Sequence, residues 1–309
     1  MAITQGCDFI QVNLVPTKEG ALVARRDNEL SASTDIAARP NFADRKTTKT
    51  IDGAEVSGWF AEDFTLDELR TLFCREAQPA LRPGNAKYAG KEPLLALSDV
   101  LQLARDGCVR TARTVGVCAR LMRPAYFQAQ GLDTVGRLAG DLTTGGYVAP
   151  AAAVWVQASE PDALRTFGQL SQVRRMLVIE QSAHDDPVGP ALPTLSDVRG
   201  YAEAITPDQD LLLDPAAAVF PAPTTLALDA HNAGLKVFSR TARAQNAFLP
   251  PALRSGDKHP SARGDLDKLL IALFADGLDG VATDQADDAV RARKAVIDAI
   301  AEGRARRGG

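Results

Sequence analysis

Residues 5–28 read Gln5-Gly6-Cys7-Asp8-Phe9-Ile10-Gln11-Val12-Asn13-Leu14-Val15-Pro16-Thr17-Lys18-Glu19-Gly20-Ala21-Leu22-Val23-Ala24-Arg25-Arg26-Asp27-Asn28. Two short apolar runs, 9–15 and 22–26, predict β-strands. Further runs follow at 115–120, 153–159, 175–180, 235–241 and 280–283. Several are apolar almost without interruption, the pattern of strands buried on both faces.

Between these runs lie segments with readable helix starts. Thr65-Leu66-Asp67-Glu68 has the form of a capping box, in which the Thr hydroxyl and the Glu carboxylate satisfy free N–H groups of the first turn. Ser98 opens a helix over 99–105, with Gly107 placed to close it. Pro161 follows Ser159 where a fixed φ suits a first turn. Asp265 opens 266–274, and a last helix over 287–302 carries Val290, Ala295, Val296 and Ile300 near helical spacing. Strand and helix in alternation imply a parallel sheet. The 309 residues suit one α/β barrel, typically about 250 residues. Seven strands predict a barrel short of one. Three long polar stretches, 27–63, 75–97 and 243–264, follow a strand or its helix, where barrel enzymes carry substrate loops.

The net charge of -4 argues against a nucleic-acid partner. The basic tail at Arg304, Arg306 and Arg307 reads as a solvated helix end. No run approaches the roughly 18 apolar residues of a membrane span, and no basic-then-apolar leader opens the chain. The reading is cytoplasmic as written, and periplasmic or secreted if the true start lies upstream. Cys7, Cys74, Cys108 and Cys118 form no CxxC pair or zinc spacing, and Cys7 and Cys118 read as small core residues.

Several stretches together resemble the periplasmic-type glycerophosphodiester phosphodiesterase family. Residues 5–15 are similar to a family segment ending Glu-x-Asp, and residues 17–23 to its Thr-Lys-Asp-Gly-x-Leu-Val turn. Gly58-Trp59-Phe60-Ala61-Glu62-Asp63-Phe64-Thr65-Leu66 and Leu81-Arg82-Pro83-Gly84-Asn85 resemble the subfamily's insertion, here about 27–97. Pro124-Ala125-Tyr126-Phe127, the run 243–250 (family Arg-x-Glu-Asn-x-Phe-Leu-Pro) and 277–284 complete a likeness over nearly the whole chain, read as a single domain 1–309. The resemblance implies a (β/α)8 TIM-barrel-like α/β fold, with the first strand missing from this chain. It also implies a lipid-metabolism reaction, hydrolysis of glycerophosphodiesters to glycerol 3-phosphate and an alcohol. The family uses calcium or magnesium held by carboxylates, with two histidines as general acid and base. Hard cations need charged oxygen ligands, and an alkoxide leaves poorly unless it is protonated.

The residues at those positions differ. The family's metal-binding Glu and Asp fall at Gln11 and Asn13, amides without charge. Its second catalytic His falls at Arg26, and guanidinium is effectively always protonated. Its Glu-Thr-Lys after the fourth barrel strand is Arg120, Leu121 and Met122 here, and the Glu of Arg-x-Glu-Asn is Gln245, between the retained Arg243 and Asn246. The first catalytic His belongs to a strand that would precede residue 1. The resemblance therefore implies a silent or severely impaired phosphodiesterase with no cofactor expected. Arg120, Arg243, Asn246, Trp59 and Tyr126 are its candidate substrate contacts, and a glycerophosphodiester or phosphorylated polyol the candidate partner.

Other readings stay open. Arg26, Arg120 and Arg240, with Arg25, Arg123 and Arg243 nearby, could form a metal-free phosphate or protein-binding mouth. They could equally pair with carboxylates such as Asp27 and Glu180. His184 with Asp185 and Asp186 could supply a rearranged active site. His231 reads as a packing residue and His259 as part of a polar loop. Asp284 reads as a cap of the last helix. Trp59-Phe60 and Tyr126-Phe127 either line a pocket or anchor the insertion.

Overall fold

The structure, a computed structural model, describes residues 1–180, 193–214, 217, 220–257 and 259–307. His184, Asp185 and Asp186 lie outside the described residues, as do the side chains of Arg304, Arg306 and Arg307. The sequence reads as one domain; by internal contacts the chain divides into two compact units, residues 11–174 and residues 1–10 with 175–309.

The first unit opens with β1 (Phe9–Pro16) and β2 (Leu22–Ala24). They pair antiparallel, with Leu14 opposite Ala24 and Val15 opposite Val23. This corrects the expectation of parallel neighbours: residues 17–21 are too few for a crossover, which needs a dozen or more. The insertion, expected to be irregular, carries a hairpin, β3 (Thr47–Ile51) and β4 (Ala54–Gly58). Asp52 and Gly53 turn it with φ of 52° and 80°, the left-handed pair that suits a two-residue hairpin.

A short helix, α1 (Leu66–Leu69), starts at the expected capping box, with both reciprocal hydrogen bonds formed. Helix α2 (Leu97–Thr111) is longer than expected. Asp99 accepts from the Ala96 N–H at its start. Gly107 lies buried inside the helix, and Ala112, at φ 50°, ends it. Next come β5 (Gly116–Leu121), α3 (Pro124–Ala129), α4 (Thr134–Thr144), β6 (Val154–Ala158) and α5 (Pro161–Leu170). The strand order here is β6-β5-β1-β2, with β5 and β6 parallel. Val15, Leu30, Phe42, Trp59, Phe64, Leu69 and Phe127 share one buried cluster, so the insertion has its own apolar ground.

In the second unit, β7 (Arg174–Ile179), β8 (Ala204–Pro207), β9 (Lys236–Ala242) and β10 (Gly280–Thr283) follow one another in parallel. β8 was not among the seven runs read as strands, four residues being too short a run to show a period. Helices α6 (Leu195–Arg199), α7 (Gln209–Leu212), α8 (Leu226–Asn232), α9 (Leu266–Ala275) and α10 (Ala286–Arg307) connect and follow them. Asp265 caps α9 as expected, accepting from the Lys268 N–H at 3.0 Å. Among the described residues no helix is long and apolar enough to cross a membrane.

Candidate functional site

In the first unit the positions singled out by sequence do converge. Val15 and Met122 pack in the same cluster, one from β1 and the other just past β5. Side chains alternate along a strand. Asn13 and Gln11 therefore share the face of Val15, while Arg120 and Cys118 share that of Met122. The parallel register sets Arg120 opposite Gln157, and Cys118 opposite Trp155. The result is a polar row, Asn13, Arg120 and Gln157, across three strands.

Arg120 is 6% exposed and Gln157 4%, while Asn13 is half-buried and Gln11 exposed. The Asn13 Oδ1 atom is buried without a hydrogen-bond donor. Burial pushes the Cys118 thiol up to about 12, against the pull of the Arg120 charge beside it. It therefore stays neutral. Gln157 was not singled out by the sequence reading; only strand register reveals it.

This donor set does not fit a hard divalent cation. Such an ion takes several oxygen ligands, mostly anionic. Gln11 and Asn13 offer uncharged amides, and Arg120 places a positive charge on the same face, where it repels a cation. Among the described residues, no three His, Cys, Asp or Glu side chains are grouped to hold a metal. Leu121 and Met122 are apolar packing: Leu121 is buried, and Met122 lies against the core cluster.

Of the other cations here, Arg26 is exposed. Arg25 donates to the Cys74 Sγ at 2.6 Å. Arg123 pairs with Asp52 at 2.7 Å and reaches Asp27 at 3.9 Å. The reading in which arginines pair with loop carboxylates thus describes Arg123.

The aromatic residues anchor the insertion. Trp59 is 9% exposed, and its indole N–H donates to the Phe42 carbonyl at 2.7 Å. Tyr126 packs on Phe127 edge to face, and its hydroxyl donates to Glu62 Oε1 at 3.2 Å. Glu62 lies at the centre of a cluster the sequence reading missed. Its Oε1 also accepts from Asn28 Nδ2 and from Lys49 Nζ, each at 3.0 Å. Burial and then the Glu62 charge raise the Tyr126 phenol above its ordinary range. For Lys49, burial opposes the charge, but the bonds to Asp63 and Glu62 outweigh it and raise its pKa.

In the second unit, Arg240 pairs with Glu180 and, at 3.1 Å, with Asp208, tying the ends of β7, β8 and β9. Arg243 bonds Asp284 at 3.1 Å and stacks over Phe248. Asp284 thus has a partner across the strands, in addition to any capping of α10. Gln245 bridges to Arg263, and its buried Oε1 has no donor.

Asn246, expected as a substrate contact, holds its own loop. It is 2% exposed, its amide donates to Ser255 Oγ and the His259 carbonyl, and its Oδ1 accepts from the Ser255 N–H at 2.8 Å. Gly264 lacks a Cβ where one would sit 2.5 Å from the Leu253 carbonyl and 2.7 Å from Asn246 Oδ1, so the loop closes tightly there. Replacing Asn246 by Ala is expected to lower stability by about 2 kcal/mol, the cost of stranding buried polar partners. A thermal melt and protease cutting within 254–262 check it.

His259 belongs to this polar loop, with Nδ1 2.8 Å from Ser261 Oγ. His231 is not a packing residue: it sits on the surface, 3.0 Å from Asp279, which also takes Lys236. A C-terminal helix position facing an acid favours such a pair over burial.

Comparison with known proteins agrees with this fold. "Glycerophosphodiester phosphodiesterase GDPD6" of Arabidopsis thaliana is 26% identical over 267 residues, spanning 80% of this chain and 70% of that one. A putative glycerophosphoryl diester phosphodiesterase from Silicibacter pomeroyi superposes with a TM-score of 0.64 at 15% identity, covering 96% of this chain and 85% of that one. An Oleispira antarctica phosphodiesterase, solved with the product sn-glycerol-3-phosphate, superposes with a TM-score of 0.57 at 13% identity, covering 94% and 86%. These likenesses carry the TIM-barrel-like α/β fold class expected from the sequence. The sequence profile of the Glycerophosphoryl diester phosphodiesterase family matches residues 1–288, and this chain belongs to that family.

Proposed function

We propose that this chain is a family member in which metal-dependent phosphodiester hydrolysis is lost, while the ligand class, a glycerophosphodiester or its glycerol-phosphate part, is kept. The observation that carries the reading is Arg120. It is buried on β5, on the face shared with Gln11 and Asn13, at positions where the family resemblance puts metal-binding carboxylates. A permanent cation there repels calcium or magnesium, and the amides of Gln11 and Asn13 bring no charge to hold either ion. Arg26, at the position of a catalytic His, cannot exchange a proton near neutral pH. A general acid or base contributes roughly 10²–10⁴-fold, so the loss is large even if binding survives. The ligand class is supported by the sn-glycerol-3-phosphate bound in the Oleispira antarctica phosphodiesterase.

The test is hydrolysis of glycerophosphocholine by the folded protein with calcium, with magnesium and with chelator. No turnover above the chelated blank is expected. Metal-dependent turnover would overturn the reading.

A further inference from the structure

The turn of the hairpin β3–β4 is fastened beside the ends of two strands of its own unit. Asp52, in that turn, accepts from Arg123 Nε at 2.7 Å, and Arg123 follows directly on the end of β5. Glu160 stands in the same place after β6, and it accepts from the Ala125 N–H at 2.8 Å. Burial raises the Glu160 carboxyl, the charges of Asp52 and Asp162 add to this, and the Ala125 bond opposes it. Asp52 is thus close to both strand ends. Val15 and Met122, which continue the faces of Asn13 and Arg120 to the strand ends, pack into the apolar cluster of the insertion. The insertion therefore covers the face that carries Cys118 and Arg120, each 6% exposed.

The hairpin is held unequally along its length. In its stem, Lys49 reaches Glu62 at 3.0 Å and Asp63 at 2.7 Å, with the Glu62 side chain 2% exposed. At its turn the Asp52 side chain is 66% exposed, and only Ile51 beside it is buried. An exposed ion pair holds weakly and is screened by salt. Arg123 itself takes φ 46°, a left-handed conformation that a non-glycine residue keeps only where its surroundings hold it.

We propose that the hairpin β3–β4 is a lid over the ends of β5 and β6, clasped at its turn by Ile51 and by Asp52 with Arg123, and that its opening controls access to the face of Cys118 and Arg120. The lid is independent of whether hydrolysis is lost.

Cys118 reports the opening. Its thiol is buried and neutral, so a reagent reaches it only when the face is uncovered. The test uses the full chain with Cys7, Cys74 and Cys108 replaced by Ser, labelled by an uncharged maleimide. Asp52→Asn and Arg123→Gln are each expected to raise the labelling rate by roughly two- to fivefold, the range of an exposed ion pair. The double variant should match either one, because both remove the same bond. Ile51→Ala should raise the rate at least tenfold, by about the loss of a buried side chain. High salt should raise the rate of the otherwise unsubstituted protein and leave that of Asp52→Asn unchanged.

Global unfolding also bares Cys118, so Arg137→Gln serves as the control. It removes a 2.9 Å ion pair to Asp141 on α4, away from the hairpin, and should leave the rate unchanged. Labelling that ignores salt and all three clasp substitutions would overturn the lid. A rise in Arg137→Gln equal to that of the clasp variants would assign the effect to general stability and overturn it as well.

Discussion

Replacing Glu62 by Ala is expected to destabilise the unit 11–174 by about 3 kcal/mol, near the lower end of what removal of one partner from a buried ion pair costs. The Glu62 side chain is 2% exposed, and that of Lys49 19%. Lys49 keeps Asp63 at 2.7 Å, which places the cost at the low end. Asn28 and Tyr126 lose their acceptor as well. The carboxylate joins the segment after β2, the hairpin strand β3 and helix α3, so its loss should loosen all three. A melting temperature lower by roughly 6 °C or more, with faster proteolysis within 27–97, is the expected result. Glu62→Gln, which keeps an acceptor oxygen for Asn28 and Tyr126, should cost less than Glu62→Ala. Equal costs would show that the hydrogen bonds contribute little beside the charge.

The second large effect concerns the polar row on β1 and β5. A Gln11→Glu, Asn13→Asp, Arg120→Glu triple variant restores the acidic pattern of the family resemblance on one face of β1 and β5. Without metal, crowded carboxylates repel one another and raise their own pKa values, so the variant should be less stable than the wild type in chelator. Calcium should then stabilise it by mass action, by about 2.7 kcal/mol at a concentration a hundredfold above the dissociation constant. A variant that folds but gains nothing from calcium would show that these three positions do not form a metal site even with the right charges.

Much of the fold was legible because its signals are local. The Thr65–Glu68 box and the Asp265 cap lie within one helical turn, and both formed as read. The seven apolar runs all became strands, since burial on both faces writes itself into consecutive residues. The orientation of β2 was misread because an apolar run does not encode its direction; the short connection does. The hairpin at Asp52-Gly53 did carry a readable signal, a turn pair between alternating residues, but polar flanks hid it.

The candidate site was legible in the identity of its residues and much less in their partners. Gln11, Asn13 and Arg120 could be placed by motif, and the structure gathers them on one face. Gln157 joins them through register between strands almost forty residues apart in sequence. Asn28, Lys49, Glu62 and Tyr126 meet at one oxygen from four separate segments, and no local pattern brings them together. Asn246 shows the same limit from the other side: a motif supplied its identity, whereas its hydrogen bonds show that it holds a loop.

The central claim, that Gln11, Asn13 and Arg120 cannot hold a divalent cation, is tested most directly by calcium titration of the wild-type protein, read as heat of binding and as melting temperature. No saturable heat and no shift are expected up to millimolar calcium. A saturable shift that vanishes with chelator would contradict the account and place a working metal site in this chain.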